Sequence, residues 1–240
     1  MTRPTLVLLA GWGASAAVWQ PLQEAVSSRF DIIALDLLDE PADSASLIAC
    51  LPRLRDKVPG PAVWLGWSLG GLVASALAQL YPEAVSRLLL VAVNPCFVQR
   101  PDYASAMSVG EFRDFRQGFA ANPEAAWRRF QALQCLGSAT ARADLRQLQA
   151  LCGNTLPADP ARLEYQLDWL EHGDIRMLPD RLTCPAAWLG GGRDHLVPAT
   201  AGFAAYPDAE IFNDSAHLPF LSEPERFGQW VCRKSGVEQP

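Results

Sequence analysis

The stretch 62–80 constrains this chain more than any other. An apolar run, Ala62-Val63-Trp64-Leu65, leads into Gly66-Trp67-Ser68-Leu69-Gly70-Gly71, and an apolar helix-type run then continues to Leu80. Apolar β-type residues without polar alternation suit a strand buried on both faces. Glycines two residues either side of Ser68 allow a turn too tight for side chains to pass, and they leave the serine in a strained backbone conformation. Its hydroxyl then stands clear of the sheet, where the N–H groups of the following helix favour negative charge. Strand, glycine-flanked serine and helix together form the context of a nucleophile elbow. The competing reading is a glycine-rich strand-to-helix turn with an incidental serine. The pattern alone does not choose between them; the strand and helix around it favour the elbow.

The rest of the chain repeats the strand–helix alternation and then breaks it. Strands are expected at 5–10, 31–36, 62–65, 86–93, 186–189 and 209–212, with helices at 18–26, 44–58, 69–80 and 224–232. The first strand runs into a turn at Gly11-Trp12-Gly13, and Asn94-Pro95 stops the fourth. From about 97 to 181 no convincing strand is found; four short helices are expected at 112–119, 124–135, 139–151 and 161–170, punctuated by Gly118, Asn122-Pro123, Gly137, Gly153 and Pro157-Ala158-Asp159-Pro160. The expected fold class is α/β: a mostly parallel, doubly wound sheet with an all-helical insertion. Residues 1–96 and 182–240 would form the core, and 97–181 a four-helix cap.

Composition limits what such a chain does. At 240 residues and 26.2 kDa, half of them hydrophobic, the chain is able to bury a substantial single-domain core. The longest early apolar stretch, 6–10, is too short to span a membrane, and no basic region with a cleavage site marks a signal peptide. The expectation is therefore a cytoplasmic protein without a membrane partner. Six scattered cysteines with no Cys-x-x-Cys pair read as buried thiols in a reducing compartment. A net charge of −6 argues against general nucleic-acid binding.

A serine hydroxyl needs a base, and the base needs a third group to fix its tautomer. Only three histidines are present: His172, His195 and His217. His172 lies beside the helix stop Gly173 in the insertion and reads as a solvated polar residue. His195 directly follows Asp194, and neighbouring side chains on a loop point apart, so one of the two can face the serine. His217 sits on a loop just past a strand, the end of a parallel sheet where ligands bind. Asp194 follows another strand at the same sheet edge, and the order Ser68, Asp194, His217 is that of the α/β-hydrolase triad. Asp208 and Asp214 are the other carboxylates near the base, and a loop-capping or solvated role suits Asp214 better. Leu69 N–H is one oxyanion donor by geometry, and Trp12 N–H, in the turn after the first strand, is the candidate for the second. The plainer reading of Gly11-Trp12-Gly13 is an ordinary strand-end turn. No His, Cys or Asp cluster has metal-ligand spacing, so neither metal nor organic cofactor is expected.

The elbow, the stretch 6–13 with Val18-Trp19, the segment 129–134 and the stretch 216–220 resemble the BioH family, the pimeloyl-[acyl-carrier protein] methyl ester esterases of biotin synthesis. Gly-x-Ser-x-Gly and the triad specify only the superfamily; Trp67 with Phe130-Gln131-Ala132-Leu133-Gln134 narrows it. The resemblance implies an α/β-hydrolase fold with Ser68, Asp194 and His217 as triad. Trp12 and Leu69 would position the ester, and Phe130, Gln131, Ala132, Leu133 and Gln134 would line the acyl channel. It further implies acyl-carrier protein as partner; a monomer is expected. Carrier proteins are acidic, so docking on this acidic chain needs a local basic face. Residues 112–152 hold six arginines and three acids, 6 − 3 = +3, and Arg129, Arg142 and Arg146 are the expected docking patch. A solvated helix surface is the plainer reading of each. Three features depart from the family: Ala10 stands where it usually has His, the 37–41 loop lacks a Pro-Gly-x-Gly pattern, and the first strand begins so early that six strands are expected. Nearby functional alternatives are a short-chain esterase taking small esters, a thioesterase or a carbon–carbon bond hydrolase. A catalytically dead fold serving as a binding protein is the alternative of a different class.

Overall fold

Six strands, β1 (Thr5–Leu9), β2 (Asp31–Leu35), β3 (Ala62–Trp67), β4 (Val85–Val91), β5 (Ala186–Gly191) and β6 (Glu210–Phe212), form one sheet in the order β2-β1-β3-β4-β5-β6. Every pairing is parallel. The computed structural model describes residues 3–39, 46–198, 206 and 209–237. The expected strands are all present. The second half of the expected 37–41 loop, the start of the 44–58 helix and Asp208 lie outside the described residues; the helix is described as α2 (Leu47–Asp56).

The apolar runs form strands because both faces of the sheet are covered. Leu6 and Leu8 point into one core cluster with Val18, Leu22, Phe227 and Trp230, while Val7 and Leu9 point into the other with Leu51, Leu54, Leu69 and Val73. That is the two-residue period of a strand read on both sides. Helix α1 (Gln20–Val26) and the last helix, Pro224–Ser235, pack together, and α2 packs against α3 (Leu69–Leu80). Complete burial of each of these leucines contributes about 1.5–3 kcal/mol.

The chain passes from β1 outward to β2, returns to β3, and then proceeds in the other direction. Strands β1 and β3 therefore bracket the point where the order reverses, and the crevice beyond their carboxyl ends is where such sheets bind ligands. Leu9 is in register with Gly66, so the turn holding Trp12 and the turn holding Ser68 leave the sheet side by side.

Between β4 and β5 the described elements are helical: α4 (Val109–Ala121), α5 (Pro123–Cys135), α6 (Ala141–Cys152), α7 (Pro160–His172) and the short α8 (Leu178–Arg181), with two isolated bridges. The starts of α4, α5 and α7 are capped by side chains. Ser108 and Glu111 form a reciprocal capping box, Asn122 accepts from Ala125 N–H, and Asp159 accepts from Ala161 N–H. Helices α4 and α5 pair as a hairpin whose aromatic face closes over Trp12. The Trp12 ring meets Phe115, Phe119 and Phe130 edge-on with centroids 5.5, 5.3 and 5.1 Å away.

Candidate active site

Ser68 sits between β3 and α3 at φ 54°, ψ −119°, a conformation non-glycine residues rarely adopt. The glycines around it are required by close approach. A Cβ on Gly66 would overlap the backbone of Gly70 and Gly71, and one on Gly70 would overlap the carbonyls of Leu9 and Ala10. Helix α3 thus begins against the end of β1, and the serine is held at its first turn, with Gly71 N–H and Leu72 N–H donating to Ser68 O. Here the backbone strain is set by close packing of the flanking turns.

His217 and Asp194 face each other from the loops after β6 and β5. His217 Nδ1 lies 2.7 Å from Asp194 Oδ2, with both side chains 1% exposed. Asp194 Oδ1 accepts from Leu196 N–H at 2.8 Å and Val197 N–H at 3.0 Å, which fixes the carboxylate plane. With Nδ1 donating to the carboxylate, Nε2 carries the lone pair. That nitrogen is buried and has no hydrogen-bond partner among the described residues. The loop is drawn to the elbow by Trp67, whose indole N–H donates to His217 O at 2.9 Å and whose ring lies 5.6 Å from the imidazole. An imidazole with an unpartnered ring nitrogen is therefore held beside the residue that precedes Ser68.

The chain matches the alpha/beta hydrolase family over residues 6–230. It is 38% identical over 238 residues to the pimeloyl-[acyl-carrier protein] methyl ester esterase of Aromatoleum aromaticum, covering 94% of this chain and 95% of that protein. With the protein of the same name from Citrobacter koseri it shares 37% over 233 residues, 93% of this chain and 91% of that one. The chain belongs to this esterase family. Among solved structures, an esterase from Exiguobacterium antarcticum has a TM-score of 0.86 at 18% identity, covering 98% of this chain and 93% of that one. A bromoperoxidase from Bacillus anthracis reaches 0.85 at 15%, covering 98% and 92%. At those identities the likeness shows the fold.

In this esterase the turn after β1 is braced by tryptophans. Trp127 Nε1 donates to Gly13 O at 2.8 Å, Trp12 Nε1 donates to Leu163 O at 2.9 Å, and the Trp67 ring packs on Gly11. Gly13, at φ +67° with Trp127 2.9 Å from where a Cβ would sit, leaves no room for a side chain. Ala10 is buried at the end of β1. The Trp12 ring is committed to the aromatic cluster of α4 and α5.

A cavity of about 380 Å³ opens beneath α4, α5 and α7, lined chiefly by Trp12, Phe97, Phe112, Phe115, Phe130, Leu133, Leu167 and Leu170. A small recess around Ser68 borders it, sharing Phe97 and Leu170. Of the segment expected to line the channel, Phe130 and Leu133 do so. Ala132 is exposed, and Gln131 and Gln134 are buried but are not among the cavity-lining residues. One turn of helix cannot aim five consecutive side chains the same way. Gln134 reaches the site through its backbone, where its carbonyl accepts His217 N–H at 3.1 Å.

The other candidates lie apart. His195 is exposed at the cavity lining, and Asp214 is paired with Arg193 on the surface. His172 ends α7 with its ring against Asp168 O. Arg129, Arg142 and Arg146 are exposed and form no ion pair among the described residues, whereas Arg116 and Arg128 are held by acidic partners. Burial raises the thiols of Cys96, Cys152 and Cys184 and pushes Cys135 up to about 12, so these sulfurs stay protonated and poorly nucleophilic. No group of three His, Cys, Asp or Glu suited to a metal occurs among the described residues. No helix among them is long and apolar enough to cross a membrane.

Sequence reasoning missed the recess wall formed by Ala92 and Asn94. Ala92 has φ +50°, and Asn94, read only as a strand stop, lines the recess beside Ser68 with its side chain fixed by Tyr103 and Ser105. A signal was present, since an Asn-Pro step at the carboxyl end of a parallel strand falls at the ligand edge.

Proposed function

We propose that this esterase removes the methyl group from pimeloyl-[acyl-carrier protein] methyl ester during synthesis of the biotin precursor, through a Ser68–His217–Asp194 acyl-enzyme. The observation that carries the mechanism is the buried Asp194–His217 pair at 2.7 Å, whose outer ring nitrogen is left unpartnered on a loop tied to Trp67, the neighbour of the strained Ser68. Ser68 Oγ attacks the ester carbonyl as His217 Nε2 takes its proton. The oxyanion is held by Leu69 N–H and Trp12 N–H. His217 then protonates the departing methanol, and water activated by the same nitrogen frees the acid. Residues 1–96 and 182–240 supply this machinery, and the helical cap, 97–181, covers it.

The substrate reading rests on the relatives' names and on two features of the chain. The described lining of the cavity is chiefly apolar and holds no lysine or arginine, with Glu111 its one acid, which suits an acyl chain. The cap carries three exposed, unpaired arginines on α5 and α6, which suits an acidic carrier despite the net charge of −6. Six cysteines without a disulfide among the described residues fit a cytoplasmic site of action, and the enzyme needs no second copy to complete its site.

Two experiments test it. Expression of this chain should restore growth of a biotin auxotroph lacking its pimeloyl ester esterase; failure to do so by a chain still active on small esters assigns it another acyl ester. Changing Arg129, Arg142 and Arg146 together to Glu should raise KM for the carrier-bound ester at least several-fold, less so at high salt, and leave hydrolysis of p-nitrophenyl butyrate unchanged. Equal effects on both substrates, or none on either, would reduce the patch to ordinary surface.

A further inference from the structure

The segment that carries His217 is bonded to the cap as well as to the sheet. Besides a longer Ser138 Oγ–Ser222 Oγ contact of 3.4 Å, three hydrogen bonds join residues 134–144 to residues 214–222. Ala139 N–H donates to Asp214 O at 2.9 Å, His217 N–H donates to Gln134 O at 3.1 Å, and Ser222 Oγ donates to Asp144 Oδ2 at 2.9 Å. The third is made by side chains. Asp144, on α6, is 2% exposed, and the same Oδ2 also accepts from Ser138 Oγ at 2.6 Å. Ser222 ends the short helix Pro219–Ser222, which begins two residues after His217. The described partners of the Asp144 carboxylate are two hydroxyls, and no cation pairs with it among the described residues. Burying a carboxyl in that company is costly, and a hydrophobic residue would fill the space more cheaply.

The arrangement has a direction. Arg142 and Arg146 lie two residues either side of Asp144, which on a helix places them on the opposite, outward face. The outer face of α6 belongs to the surface proposed for the carrier, while the inner face holds the helix that follows the base. We propose that Asp144 is a positioning residue for His217: through Ser222 it fixes the height of the imidazole over Ser68, and it couples the seating of α6 to the alignment of the base. This rests on the reading of His217 as the base.

The test separates positioning from simple stapling. Asp144→Ala should lower kcat on p-nitrophenyl butyrate about ten-fold with KM within two-fold, since a small displacement of a catalytic group lowers rate without weakening binding. Asp144→Asn should stay within two-fold of wild type, because the amide oxygen accepts both hydroxyls. Ser222→Ala cuts the same link from the other side and should lower kcat several-fold. It also carries the test if Asp144→Ala does not fold, and Ser222 Oγ has a second acceptor, Leu218 O at 3.1 Å, when Asp144 is lost. In a His217→Ala background, Asp144→Ala should cause no further loss of the residual rate, because the effect passes through the imidazole. The proposal is overturned if Asp144→Ala and Ser222→Ala keep wild-type kcat, if Asp144→Asn is as slow as Asp144→Ala, or if the loss persists without His217. Wild-type turnover by His217→Ala alone would instead overturn the assignment of the base.

Discussion

Ester turnover by Ser68→Ala falls about a million-fold, leaving the small rate that oxyanion donors and binding sustain on their own. The hydroxyl contributes chemistry and little else. Ser68 Oγ makes no hydrogen bond among the described residues, and alanine bears the same φ of 54° at similar strain. The melting temperature should therefore stay within a few degrees of wild type while activity disappears. Initial rates on p-nitrophenyl esters, thermal melting and labelling by a fluorophosphonate together make the measurement. Wild-type chain should take the label and Ser68→Ala should not. A variant that still turns over at near-normal rate would remove serine chemistry altogether, and an unlabelled wild type would favour a binding protein on a hydrolase fold.

The parts of this fold that could be read from the sequence are those where one local signal decides. Leu6 to Leu9 are a strand because both faces of that strand are buried, and an unbroken apolar run has no other comfortable place. The helix starts at Asn122-Pro123 and Asp159-Pro160 are legible because cap and first-turn proline coincide. Helix α4 shows the limit. Its expected start at 112 overlooked Ser108 and Glu111, whose capping box begins the helix at Val109, since Val109-Gly110 are poor helix formers that the cap outweighs. The triad candidates were legible from order and strand ends. The supports were not, because they depend on which loops cross. Nothing in the local sequence says that the Trp67 indole reaches a carbonyl 150 residues away, or that Asp144 finds Ser222. Helical phase was legible but unused: a period of 3.6 puts Phe130 and Leu133 on one face and turns Ala132 outward.

The base assignment is decided by comparing two histidines. His217→Ala should cost about as much as losing Ser68, on the order of a million-fold, because members of a triad act as a unit. His195→Ala should change turnover less than ten-fold. His195 is exposed in the cavity lining and has no carboxylate partner among the described residues, whereas His217 is buried against Asp194. The aspartate offers a sharper version of the same test. In Asp194→Asn the amide oxygen can keep the bonds from Leu196 and Val197 N–H, which turns the NH₂ toward His217 Nδ1. A donor there forces the proton onto Nε2, the nitrogen that must accept from Ser68, so the loop is intact and the base is in the wrong tautomer. The expected loss is about ten-thousand-fold in kcat with little change in stability. Were His195→Ala the more damaging of the two histidine changes, or Asp194→Asn nearly as active as wild type, the proton would have to leave Ser68 by another route.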